Sequence, residues 1–480
     1  MTFIPANRRL PLTAININNE AAIQATALQA YRTLFIGPKG SGNAPVGQVI
    51  KINSLGDAVT KLGRGSAAYE YAKGFFAQRG GHELNVLVVD DSTLTARVST
   101  LTFSGTATAA GTLVLYIGGL RISVNVASGA TAAQVATNVA AALGAATDLM
   151  FTASAAGAVV TLTSRNKGLF TEAITISHSR GAGEALPEGI AVAQATTAAG
   201  AGVPSTLPFS AVDSNTQYIL FSTCFTDNGT LGLINTELVE RNNAIRKVDG
   251  YNLIAKYGTA SALAAVGNNF NSQFLSIFPA IGGSTESYLA GALAGQVSRI
   301  KAADPAASVR GVELLGASPA LNSEVLSDSQ LNTLLLNGVS AYDIVLGKIR
   351  MSVLATTYKT DSDGQADQSY FDLSVLFVLS FLRYDLDRLS ARRFSGAKIG
   401  VDGVNYDSNQ KIVTPKSIEA EIINQFTEWE RRGLIEDGAA FRRSLSVARN
   451  TNDVSRIDIV LRPDVVNELK ILGYDIQFIL

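Results

Sequence analysis

The sequence predicts a multidomain protein of α/β and α+β class: an α/β core, an inserted β-rich module, a C-terminal α+β domain, and extended arms at both ends. Three observations predict it. Strand-period and helix-period segments alternate at about residues 21–91 and again at about 205–360, the punctuation of an α/β layer. Between them, at about 92–204, charged residues become scarce and Ala, Thr, Gly, Val and Ser take over. At the two ends, apolar residues alternate with polar ones where no neighbouring segment offers a partner strand. The expected units are an arm at 1–20, a core at 21–91 plus 205–360, a module at 92–204, a C-terminal domain at 361–466 and a second arm at 467–480.

In the core, residues 31–36 form a strand closed by Gly37-Pro38, because proline cannot extend a central ladder. Ser54 caps a helix to Leu62 that Gly63 stops. Residues 66–76 form a second helix with Tyr69, Ala72 and Phe76 on one face, and 86–89 a short buried strand. The pattern resumes with a strand at 217–225, a helix at 231–247 with Arg and Glu on its outer face, and strands at 251–255 and 274–278. Residues 290–301 form a helix of small residues suited to close packing.

In the module, Gly118-Gly119 is a two-residue turn between strands at 111–117 and 120–126. Residues 131–143 are a helix with Val135, Val139 and Leu143 in line, and strands at 158–163 and 173–177 follow. A module that leaves and rejoins one core is expected to project from its surface. In the C-terminal domain, 371–393 is a long helix, apolar nearly all round in its first half. It ends in Arg388, Arg392 and Arg393, which suits the helix dipole. Thr414-Pro415 reads as cap and first turn of a helix with Ile418, Ile422, Phe426 and Trp429 on one stripe, stopping at Gly433. Residues 455–461 alternate as a strand.

The arms carry the functional signal. Thr13, Ile15 and Ile17 alternate near one end, and Tyr474, Ile476, Phe478 and Leu480 near the other. An apolar edge is normally blunted by charge or proline. Unblunted terminal strands therefore point to pairing with another chain, and the protein reads as a piece of a polymer.

Composition agrees. The chain has 480 residues, a net charge of −1 and only 16% charged residues, without the basic balance of a nucleic-acid binder. Its first residues hold no stretch apolar enough for a signal peptide, and its longest apolar run, 373–382, is about half a membrane span. The expectation is a soluble cytosolic product with no membrane insertion.

A search for chemistry finds little. His82 and His178 are the two histidines, too few for a histidine metal site, and no Gly-x-Ser-x-Gly elbow or Walker sequence occurs. Gly37-Pro-Lys-Gly-Ser-Gly42 follows a strand but lacks the Gly-Lys-Ser/Thr ending of a phosphate loop. Asp361, Asp363 and Asp367 lack the glycine offset and closing glutamate of a calcium loop. Cys224, the single cysteine, reads as a core thiol. No catalytic residue, cofactor or metal is expected. The cluster Arg388/Arg392/Arg393 is either a solvated helix end or a contact for a protein partner.

Several motifs, in order, resemble one family. Leu34-Phe-Ile-Gly-Pro38, Ser54-Leu-Gly-Asp-Ala58, Lys61-Leu-Gly63, Lys73-Gly-Phe-Phe76 and Gly80-Gly-His-Glu-Leu84 resemble the opening of contractile phage tail sheath proteins. Val413-Thr-Pro415, Arg432-Gly-Leu434, Val447-Ala-Arg-Asn450, Asp453, Arg456, Leu461-Arg-Pro-Asp-Val-Val-Asn467 and Ile476-Gln-Phe478 resemble the Mu-like branch. The resemblance implies a subtilisin-like core without protease function. It implies homo-hexameric rings stacked into a helical sheath around the tail tube protein, with baseplate and tail terminator proteins as further partners. It also implies that the arms at about 11–18 and 474–480 add strands to neighbouring C-terminal domains. Contraction would then drive the tube through the bacterial envelope, and the virion tail would be assembled in the host cytoplasm. The module looks like a decoration of some sheaths, expected on the outer surface. Other readings are the sheath of a pyocin or secretion system, an S-layer protein, or a degenerate hydrolase.

Overall fold

The computed structural model describes residues 29–480 apart from Gly81, Ser408 and Leu480. Its centre is a six-stranded sheet. The strands are β1 (Arg32–Gly37), β2 (Val49–Ile52), β3 (Glu83–Val88), β11 (Leu220–Thr223), β12 (Tyr251–Lys256) and β13 (Leu275–Pro279), in the order β13-β12-β11-β1-β3-β2. All pairs are parallel except the β2 edge. The parallel strands are apolar on both faces, as they must be when helices cover both sides. The order reverses between β1 and β11, which is the doubly wound pattern.

Helix α1 (Leu55–Leu62) is capped by the Ser54 hydroxyl on the Asp57 N–H and ends at Gly63, whose φ is 81°. Helix α2 (Ala67–Ala77) is capped by Ser66. Its expected single apolar face is a misreading. Tyr69, Tyr71, Ala72 and Phe75 are all buried while Phe76 is only half-buried, because the helix packs against both the sheet and a second helix. That second helix, α6 (Glu286–Ala303), is the expected helix of small residues, longer by a turn at its start. It packs by backbone approach. A Cβ on Gly74 would lie 2.1 Å from the Tyr288 carbonyl oxygen, and one on Gly291 2.1 Å from that of Tyr71.

Helix α4 (Asn228–Arg241) starts and ends earlier than the sequence suggests. Asp227 caps the Thr230 N–H, and Lys247 lies in left-handed backbone. Nor is its arginine outward. Arg241 is fully buried against Tyr218 and Phe221, donating to Glu237 at 2.8 Å and to the carbonyls of Thr216 and Asp213. A guanidinium tolerates such burial when its planar donors are satisfied. Helix α5 (Ala260–Asn268), helix α7 (Asp328–Leu336) and the hairpin β14 (Ala341–Val345) and β15 (Lys348–Val353) complete the core.

The module holds β4 (Val98–Gly105), β5 (Gly111–Ile117), β6 (Leu120–Val126), α3 (Ala132–Ala145), β7 (Phe151–Ala156), β8 (Val159–Ser164), β9 (Ile176–His178) and β10 (Ile190–Ala198). They form a sheet β10-β4-β8-β7 and a sheet β6-β5-β9. The Gly118-Gly119 turn closes the Ile117↔Leu120 pair as expected, and Thr131 forms a capping box with Gln134. The strand expected at 173–177 is shorter, because residues Leu169–Ala173 form a 3-10 turn. The entry and exit of the module are bridged at Thr95↔Ala201.

The module is not a free appendage. Its apolar interior is continuous with that of the core, and Phe170 meets Phe225 edge-on at 5.4 Å. Polar ties reinforce the seam. Asn166 accepts from the Ala67 N–H at 2.9 Å and donates to the Lys39 carbonyl at 2.7 Å, while Asp148 pairs with Arg64 at 2.5 Å.

In the C-terminal domain, helix α8 (Leu373–Arg393) begins at the Asp372 cap. It belongs to two apolar clusters: Leu373, Leu376 and Phe377 join the core, and Val378, Phe381 and Leu382 join helix α9 (Pro415–Arg431). This explains its apolar first half. Ile418, Ile422, Phe426 and Trp429 are buried as expected. Short elements surround them: a parallel pair β16 (Lys398–Ile399) and β17 (Ile412–Val413), a pair β18 (Ile435–Glu436) and β21 (Asp464–Val465), helix α10 (Gly438–Ser444), and a hairpin β19 (Ser446–Arg449) and β20 (Ile457–Val460).

Candidate inter-subunit surface

The second arm leaves the C-terminal domain after β21. The Val466 N–H donates to the Leu434 carbonyl at 3.2 Å. The next few residues cross to the core. The Glu468 carboxylate accepts from the Ser308 hydroxyl, Arg310 donates to the Lys470 carbonyl at 2.7 Å, and the Lys470 ammonium pairs with Asp372 above the Phe371 ring. Sequence reasoning missed this anchor, since nothing in the spacing of Lys470 and Asp372 links them. Beyond it, residues 471–479 make no hydrogen bond to the body of the subunit among the described residues; Gln477 donates to Asp475 within the arm. Tyr474, Ile476 and Phe478 are 83%, 86% and 78% exposed, with Ile471, Leu472 and Ile479 also bare. Among the described residues this segment forms no helix or strand, and so many exposed apolar side chains in one run mark it as an interaction surface. Thr13, Ile15, Ile17 and Leu480 lie outside the described residues.

Beside the arm's origin, β19 and β20 pair only with each other among the described residues, and Ile459 and Val460 on β20 are exposed. The hairpin packs on α9 through Val447, Ile457 and Leu461.

Two of the clustered arginines line a groove between α8 and α9 of about 500 Å³, formed by Asp385, Arg392, Arg393, Glu421, Glu428 and Arg431 among others. Arg393 pairs with Glu421 at 3.4 Å and Arg388 lies over the Tyr384 ring. The floor is Asp385, which accepts from Trp429 Nε1 and Gln425 at 2.7 Å each. Burial raises the Asp385 pKa against the pull of the Trp429 bond and of Arg432 and Arg392. Arg392 and Arg393 line this groove, Arg388 does not, and all three are exposed.

The residues weighed for chemistry are otherwise employed. Lys39 donates to the Gly42 carbonyl of its own loop at 2.5 Å, and a Cβ on Gly42 would lie 2.1 Å from the Lys61 carbonyl oxygen, so that loop is a packing device. Asp361 accepts from the N–H groups of Asp363 and Gln365, and Asp367 accepts from Tyr358 and Ser369. Cys224 is buried, which pushes its thiol pKa up. Among the described residues no group of three or more His, Cys, Asp or Glu could hold a metal, and no helix is long and apolar enough to cross a membrane.

The fold is that of tail sheath proteins. The sheath tail protein of Desulfitobacterium hafniense superimposes with a TM-score of 0.51 over 94% of this chain and 100% of that one, at 14% identity. A chain of the anti-feeding prophage baseplate in its contracted state gives 0.50 over 99% of each, at 11% identity. Residues 365–479 match the phage tail sheath C-terminal domain family. Over 482 residues, 99% of each chain, the sequence is 31% identical to the Mu-like prophage FluMu tail sheath protein of Haemophilus influenzae. The chain belongs to the contractile phage tail sheath family, and it is a structural subunit of a contractile tail.

Proposed function

We propose that this subunit polymerises through its arms into stacked six-membered rings around the tail tube. Residues 11–18 and 474–480 add strands to the C-terminal domains of neighbouring copies, with β19–β20 as the receiving sheet. The carrying observation is the arm itself: an anchored base, then nine exposed residues that hydrogen-bond to no other part of the subunit among the described residues. The arginine rim of α8 faces a protein partner, the tube or a neighbour. On a baseplate trigger the sheath shortens and widens, driving the tube through the bacterial envelope. No nucleotide is needed if the extended sheath is a kinetically trapped state formed during assembly in the host cytoplasm. The tail terminator closes the polymer at its far end.

The α/β core (21–91 plus 205–360) is read as subtilisin-like but without catalysis. Support comes from the two histidines: His82 is half-buried, which lowers its pKa, and His178 lies at the end of β9 in the module, outside that core. Replacing both with alanine leaves assembly unchanged; loss of a measurable hydrolytic activity in a folded double variant would overturn this reading.

Deleting residues 474–480 tests the arm. The truncated subunit is expected to stay folded, with the parent's thermal midpoint, and to form no tubes by electron microscopy. Normal tubes would show that the arm is not the link.

A further inference from the structure

The module and the core each contain a two-residue hairpin turn of one type. In the module it is Gly118-Gly119, with φ of 55° and 86°. In the core it is Leu346-Gly347, with φ of 52° and 75°, closing β14–β15 at the Val345↔Lys348 pair. Such a turn needs left-handed backbone at both central residues, which is why Asn-Gly, Asp-Gly and Gly-Gly dominate it. A leucine there carries the steric penalty of that region. Leu346 recovers none of it by burial, being 96% exposed. Backbone preference and burial both disfavour leucine at this tip, and a position that breaks two local rules at once points to function.

The surroundings suit a protein contact. Val345, Leu321 and Val325 are also exposed. The loop carrying Leu321 is held beside the turn by the Ala320 N–H on the Gly347 carbonyl at 3.1 Å. Below the tip runs a groove of about 390 Å³ lined by Val325, Leu331, Ile344, Val345 and Arg350 among others. Arg350 Nε is buried without a hydrogen-bond partner among the described residues, and an orphaned buried donor is costly unless something answers it. Two nearby charge pairs are internally matched: Lys348 with Glu313 at 3.1 Å and Arg180 with Glu324 at 2.5 Å.

We infer that the β14–β15 tip is a second inter-subunit contact, separate from the arms, in which Leu346 seats against another copy of this chain. A sheath subunit is packed among its own kind, so another copy is the surface this tip meets. The matched charges let like surfaces approach without repulsion. The inference rests on membership of the sheath family and not on the arm reading.

Full-length Leu346→Asn tests it, because asparagine suits left-handed backbone. The soluble monomer is expected to keep or raise the parent's thermal midpoint, while sedimentable tubes fall about tenfold, as on losing an interface anchor. Leu346→Met, which keeps the apolar bulk, is expected to assemble like the parent. Normal tubes from Leu346→Asn would overturn the inference. So would a lowered monomer midpoint, which would place Leu346 in its own subunit's fold. If the 474–480 deletion assembles normally while Leu346→Asn does not, the arm reading fails and the tip contact stands. If Leu346→Asn assembles normally while the deletion does not, the tip contact fails and the arm reading stands.

Discussion

Glu70 shows what burial does to one group. It lies on α2 at 2% exposure with Lys73 at 3.2 Å, and burial pushes its carboxyl pKa up to about 7 against the pull of Lys73. A raised carboxylate pKa means that the folded state holds the proton more tightly than the unfolded chain. This contribution to stability is therefore full below about pH 4.5 and is lost as pH rises through about 7. Glu70→Gln removes the ionisable group. Lys73 keeps Asp148 at 3.6 Å and remains partly exposed, so the loss of its closer partner is modest. The variant is expected to gain about 1–2 kcal/mol at pH 8 and to flatten the stability profile between pH 5 and 8, measured by urea denaturation. A parent profile that rises toward pH 8 would contradict the assignment.

At the scale of elements, the arm is the informative case. Burying Ile476 and Phe478 in a neighbour gains roughly 1.5–3 kcal/mol each, and each added backbone hydrogen bond about 1 kcal/mol net. Ordering the arm costs about 1–2 kcal/mol per residue. These terms are of similar size, so one arm contact is weak and many repeated contacts are strong. The same argument applies at the other end. Ile15→Pro would remove a ladder donor and is expected to give a soluble subunit that assembles at least tenfold less well, read by sedimentation. Unchanged assembly would mean that residues 11–18 do not pair as a strand.

At the scale of the whole molecule, the seam between module and core decides the outcome of cutting them apart. The sequence suggests a decoration that a short linker could replace. The structure joins the two through one continuous apolar interior and the Asn166, Asp148 and Phe170 contacts. Phe170→Ala is expected to lower stability by about 3 kcal/mol and, by loosening the seam, to speed hydrogen exchange in both β11 and the module. Exchange raised in the module alone would show independent units.

Local rules made the local structure legible. Ser54 and Thr414 cap helices where the sequence placed them, and Gly118-Gly119 turns where two positive φ values were needed. These depend on neighbours within four residues, so the chain carries them alone. The period-2 apolarity at 474–480 is itself a sequence pattern, and the strand pairing it suggests is a proposal. What the tertiary structure decided is which face meets what. Phe75 rather than Phe76 is buried because α2 packs against both the sheet and α6, and Arg241 turns inward because the carbonyls of Thr216 and Asp213 converge on it. The anchor of Lys470 on Asp372 joins residues far apart in the chain. Such contacts depend on long-range packing, and a periodicity confined to one helix or strand carries no record of its distant partner.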